Sequence, residues 1–109
     1  MMAASGAPVY TGEELFEIGN EHYAQGSLEK AIELWMQAKQ IDPSLSANAW
    51  YNTGLAYAAM KEYEKAIMAW NETIMLVPNS SMAYDNMGTA YGLLGRYEEA
   101  GMAYDMATQ

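Results

Sequence analysis

The chain of 109 residues has no cysteine, one phenylalanine, one histidine and five basic residues. Without cysteine there is no disulfide, no thiolate nucleophile and no zinc–thiolate site, and the redox compartment cannot be read. No stretch approaches the roughly 18 consecutive apolar residues of a membrane span, so no membrane insertion is expected. The opening MMAASGAPVY lacks both the basic and the apolar region of a secretion signal. It reads as a flexible lead over residues 1–10, and the cytoplasm is the expected compartment. Five basic residues against fourteen acidic ones leave a net charge of -9. Such a surface repels phosphate backbones and anionic lipid, so a nucleic-acid partner is not expected. A glycine-rich phosphate loop, a Ser/His/Asp set and a calcium loop are missing as well.

What the chain does have is ten methionines, nine tyrosines and three tryptophans within a composition that is 51% apolar. That suffices for one domain with a modest core. Thioethers are soft ligands for copper(I), but methionine on helices more often fills cores or forms adaptable contact surface; no metal and no cofactor is expected. His22 stands alone, and a lone imidazole needs partners to act as base or ligand. Glu17 and Glu21 lie one helical turn apart, and Glu98 and Glu99 sit near a helix start, where solvation and the helix dipole account for them. No catalytic residue is assigned, and an enzyme is not expected.

The chain repeats. Gly19, Gly54 and Gly88 are separated by 35 and 34 residues. Before each stands a bulky residue, Leu15, Trp50 and Tyr84, and three places after each stands a ring, His22, Tyr57 and Tyr91. Twelve places after each glycine comes Ala31, Ala66 or Ala100, and four beyond that Trp35, Trp70 or Tyr104. Pro43 and Pro78 close the first two copies. The register resembles the tetratricopeptide repeat, W-x2-L-G-x2-Y, then A-x3-F, then P, whose positions the middle copy fills with Trp50, Thr53, Gly54, Tyr57, Ala66, Trp70 and Pro78. The resemblance runs from Gly12 to Gln109, in repeats of about 12–45, 46–80 and 81–109 that together form one domain over 11–109. His22 departs from the pattern's tyrosine, Lys61 stands where the other copies have Gly26 and Gly95, and one extra residue lies between Ser44 and Ser46. Lys61 is expected to adopt the turn conformation that glycine reaches more cheaply.

Each copy holds two amphipathic runs at helical spacing, separated by a short polar break. Thr11 is a good N-cap, with Glu14 completing a capping box and Tyr10 and Leu15 placed for a hydrophobic staple. Helices are therefore predicted near 12–25, 28–41, 47–60, 63–76, 81–94 and 97–108. The small pairs Gly19/Ala31, Gly54/Ala66 and Gly88/Ala100 let paired helices approach, with Trp35, Trp70 and Tyr104 filling the space beside them. The fold class expected is all-α, a right-handed superhelical solenoid of three antiparallel helix pairs.

The resemblance implies a concave groove lined by the first helix of every repeat, holding a peptide or a partner's helix. Its residues here are Glu13, Phe16, Glu17, Asn20 and Tyr23 from the first repeat, Asn48, Tyr51, Asn52 and Leu55 from the second, and Met82, Asp85, Asn86 and Thr89 from the third. Some members of the family grip acidic chaperone C-termini with two asparagines and three cations. Asn20 and Asn52 stand at the asparagine positions, but Phe16, Met82 and Asn86 stand where lysine or arginine belongs. All five basic residues, Lys30, Lys39, Lys61, Lys65 and Arg96, fall in second helices or the turns leading to them. Neutral or basic segments are therefore expected in the groove in preference to acidic tails. A second expectation concerns the last helix. Terminal pairs of a solenoid commonly need a polar cap, yet this one carries Met102, Ala103, Tyr104 and Met106, which points to self-association and a homo-oligomer through that face.

Overall fold

The computed structural model describes Gly6 and residues 9–109; the remainder of the expected flexible lead lies outside the described residues. Six helices follow in order: α1 (Gly12–Ala24), α2 (Leu28–Ile41), α3 (Ser46–Ala59), α4 (Tyr63–Leu76), α5 (Ser81–Leu93) and α6 (Tyr97–Ala107). Among the described residues there is no strand. α1 packs on α2, α3 on α4 and α5 on α6, and the pairs are joined by contacts of α2 with α3 and α4 with α5. Neighbour-only packing draws the molecule out to 54 × 25 × 16 Å, an all-α solenoid. No helix is long and apolar enough to cross a membrane among the described residues.

Local chemistry explains the element ends. The Thr11 side chain accepts from the Glu14 N–H at 3.1 Å while the Thr11 N–H donates to Glu14 Oε1 at 2.8 Å, the reciprocal capping box. The turn inside each pair is the same one three times. Gly26, Lys61 and Gly95 take φ of 83°, 62° and 78°. The next N–H reaches back to the carbonyl five residues earlier, Ser27 to His22, Glu62 to Tyr57 and Arg96 to Tyr91, at 2.8, 2.9 and 2.9 Å, which is the Schellman closure of a helix. Lys61 thus occupies the left-handed region expected of it. The extra residue between the first two repeats is absorbed in a 3-10 turn, Pro43–Leu45, whose start is capped by Asp42 accepting from the Ser44 N–H at 3.1 Å. The sequence pattern carries no sign of this turn.

The core is built around three rings. A Cβ added at Gly19 would come within 2.7 Å of the Trp35 indole and one at Gly88 within 2.7 Å of the Tyr104 ring, and a Cβ at Gly54 would overlap Trp70. Ala31 and Ala66 are 0% exposed and Ala100 7%, so each glycine–alanine pair lies inside the contact between its two helices. Gly101 and Gly92 differ: a Cβ at either meets nothing within 4 Å. Glycine inside a helix costs about 0.5–1 kcal/mol relative to alanine. Gly101→Ala should therefore raise the unfolding free energy by about that amount, whereas Gly54→Ala should lower it by about 1–3 kcal/mol through overpacking against Trp70. Urea unfolding of both variants checks the opposite signs.

Candidate functional site

The thirteen residues expected to line a groove lie on α1, α3 and α5, and none of them is buried. Two hollows and one hydrogen bond connect them. The first hollow, of about 390 Å³, joins Glu13, Phe16 and Glu17 of α1 to Asn48 of α3, with Thr11, Glu14 and Leu45 completing its wall. Tyr51 and Asn86 then link α3 to α5, the Asn86 amide donating to the Tyr51 hydroxyl at 2.8 Å across the repeat boundary. The second hollow, of about 120 Å³, brings Leu55 of α3 against Asn86 and Thr89 of α5. Asn20, Tyr23, Asn52, Met82 and Asp85 line neither hollow. Tyr23 leans on Trp35 with ring centroids 5.7 Å apart, and Met82 stands 61% exposed.

Asn20 is not as free as its sequence position suggests. The Trp35 indole N–H donates to Asn20 Oδ1 at 3.0 Å. An indole nitrogen only donates, so this contact orients the amide, with its oxygen held inward and its NH₂ left to donate elsewhere. Trp70 bonds instead to the backbone carbonyl of Tyr51 at 3.1 Å, because Leu55, which stands at the Asn20 position of the second repeat, offers no acceptor; the Asn52 side chain makes no hydrogen bond among the described residues. The third ring, Tyr104, meets Thr89 hydroxyl to hydroxyl at 2.9 Å. The rings at the centre of each repeat thus touch the groove residues from behind, a link that spacing alone does not reveal.

Charge is segregated. The first helices hold Glu13, Glu14, Glu17, Glu21 and Asp85 and no lysine or arginine. The three ion pairs found among the described residues, Lys30–Glu33, Lys65–Glu62 and Arg96–Glu99, all lie on second helices or the turns before them. Of the other two lysines, Lys39 lies over the Trp50 ring at 5.3 Å and Lys61 in its turn. Glu14 is held below the usual carboxylate range, first by the Thr11 backbone N–H and then by the Thr11 side chain. Glu99 is lowered by the Arg96 guanidinium that hydrogen-bonds it. His22 Nδ1 is buried without a hydrogen-bond partner among the described residues.

Of the four residues expected to form one self-association face, Met102, Ala103 and Met106 line a common hollow and Tyr104 does not. Ala103 is 6% exposed and packs with Ile67 and Trp70, so it adds little area of its own to that face. Tyr104 is 42% exposed, its ring closed over Gly88. Met102 and Met106, 63% and 41% exposed, line an apolar hollow of about 180 Å³ with Tyr84, Met87 and Tyr91 of α5. They lie beside α5 rather than at the solenoid's end. The end itself is poor in apolar side chains: Gly92, Gly101 and Thr108 occupy the positions at which Ala58, Ile67 and Ile74 of the second repeat hold the third.

Sequence comparison matches most of the repeating region in three pieces: a model described as TPR repeat over residues 19–61, and models described as tetratricopeptide repeat over 47–80 and 83–109. The transcription factor tau subunit sfc4 of Schizosaccharomyces pombe is 31% identical over 74 residues, 68% of this chain and 7% of that protein. Among solved structures, a crystal structure of MamA superposes with a TM-score of 0.83 at 30% identity, covering 90% of this chain and 57% of the other. The second TPR of Spaghetti (RPAP3), bound to the HSP90 peptide SRMEEVD, superposes with a TM-score of 0.80 at 26% identity, covering 90% of each chain. The chain therefore spans a small fraction of the sfc4 relative and somewhat over half of the MamA structure.

Asn20 and Asn52 should respond differently to truncation. Asn20→Ala leaves the Trp35 N–H, on a side chain 2% exposed, without its acceptor, at a cost of about 1–3 kcal/mol. Asn52→Ala removes no bond of the fold and should change stability by less than about 0.5 kcal/mol. Thermal or urea unfolding of both variants decides this, and equal losses would contradict it.

Proposed function

The chain belongs to the tetratricopeptide-repeat family, a protein-interaction scaffold fold that is generally non-enzymatic, and on that premise we propose that it binds a peptide or a partner helix along α1, α3 and α5, preferring neutral or basic segments to acidic C-terminal tails. The segregation of charge carries this reading. The groove residues include the carboxylates Glu13, Glu17 and Asp85 and no cation. An incoming terminal carboxylate would lose water and face like charge, whereas a lysine or arginine would find acceptors. The Spaghetti module is seen with the peptide SRMEEVD, which is itself acidic; this chain places Phe16, Met82 and Asn86 where that kind of recognition uses lysine or arginine. Tyr51, Phe16 and Leu55 supply apolar anchoring, and Asn52 with the outward amide of Asn20 supplies hydrogen bonds for a ligand backbone. Affinities of a single module for a short segment are expected in the micromolar range, roughly, because ordering the ligand offsets much of the contact energy. Titration calorimetry with SRMEEVD should give no measurable heat of binding. Tight, salt-sensitive binding of that peptide would contradict the proposal.

A second reading is favoured by the methionine hollow on α6. Met102 and Met106 present exposed, adaptable apolar surface one turn apart, backed by Tyr84, Met87 and Tyr91, and we propose it as a weak self-association surface. Burying one methionine contributes about 1.5–3 kcal/mol, while association costs about 4–15 kcal/mol in lost freedom. The pair alone therefore supports association only at high concentration. Light scattering over a concentration series should show mass rising for the wild type and staying flat for Met102→Lys with Met106→Lys; an unchanged wild-type mass would remove this reading.

A further inference from the structure

The charge of the proposed groove is distributed unevenly along its length. α1 brings Glu13 and Glu17, with Glu14 in the wall of the first hollow, α3 brings no charged residue at all, and α5 brings Asp85. The α1 end also has the larger hollow, where Phe16 and Leu45 form an apolar wall between Glu13, Glu17 and Asn48. Two chemistries meet there: carboxylates at the rim and a ring with an aliphatic neighbour inside. A lysine or arginine side chain matches both. Its methylene stem lies on apolar surface and its charged head reaches acceptors, and a guanidinium also stacks on an aromatic face. Beyond the hollow the groove changes character. Tyr51, Asn52 and Leu55 are part-exposed, and the smaller hollow where Leu55 meets Asn86 and Thr89 has little room and little charge.

From this charge complementarity we infer that the groove reads the polarity of its ligand. It takes a segment whose basic residues are gathered at one end, seated on α1, and whose remainder is neutral and apolar, seated on α3 and α5. The inference rests on the groove reading above, and it adds a direction and a ligand class that the reading lacks. A uniformly basic segment gains nothing over α3, and a segment reversed in the groove places its cations by Asp85 alone. Surface charge pairs are each weak, so the effect is a bias among segments that already fit.

Selection from a random 12-residue peptide library tests it. Peptides selected on the wild-type chain should be enriched in lysine or arginine at one end and in apolar residues along the rest. On a Glu13→Gln, Glu17→Gln variant the basic enrichment should vanish while the apolar enrichment stays. A selected peptide should lose about 3- to 10-fold in affinity for that variant and much of its salt dependence, and should lose less on Asp85→Asn. A nitroxide at the peptide's basic end should broaden the amide resonances of α1 and not those of α5. Peptides without end-weighted basic enrichment, an Asp85→Asn loss equal to that of the α1 variant, or broadening on α5 would overturn the polarity and leave the groove reading standing. Selected peptides whose binding survives Tyr51→Ala with Asn52→Ala would overturn the groove reading itself.

Discussion

Each repeat depends on an aromatic ring laid across a glycine. Trp35, Trp70 and Tyr104 occupy the space that a side chain at Gly19, Gly54 or Gly88 would need, and the two tryptophans are each 2% exposed. The contact does two things at once. It brings the helices of a pair together where their surfaces are smallest, and it delivers a polar tip to the first helix from behind. Those tips end on Asn20, on the Tyr51 carbonyl and on Thr89, at 3.0, 3.1 and 2.9 Å. The core thereby orients the helices that carry the groove, and in the first and third repeats it bonds groove side chains directly. Core and binding face are therefore coupled, and a groove residue cannot be assumed independent of stability.

The second constraint is electrostatic. All five cations lie on the second helices or in the turns before them, where three engage carboxylates nearby in sequence. The first helices keep their carboxylates without a cation. A protein with net charge -9 tends to repel acidic partners at long range, and the groove proposed on the first helices would extend that preference to short range. Among the first helices, four of the carboxylates fall in α1, none in α3 and one in α5.

Much of this was legible in the sequence because it is local or periodic. The capping box needs only Thr11 and Glu14 at their spacing. The left-handed turn at Lys61 follows from Gly26 and Gly95 at the equivalent positions. The ring-on-glycine contact follows from a fixed offset of sixteen residues, as from Gly54 to Trp70. What could not be read depends on contacts between repeats or on direction around a helix. Nothing in DPSLS distinguishes a 3-10 turn from a plain loop. The bond between Asn86 and Tyr51 spans 35 residues and requires the stacking of two pairs. Asn20 reads as an exposed amide until the indole behind it is placed. Met102 and Ala103 are neighbours in sequence but about 100° apart around the helix axis, so one faces out beside Tyr84 and Met87 while the other is buried.

The central claim is that partners are held by the first-helix face, with the second helices as its support. Site-specific photo-crosslinking tests it most directly: a benzophenone side chain placed at position 51, in the groove, compared with one at position 68, where Met68 is 67% exposed on α4. With a bound partner the account predicts a covalent adduct from position 51 and none from position 68. Adducts from position 68 with none from position 51 would contradict it.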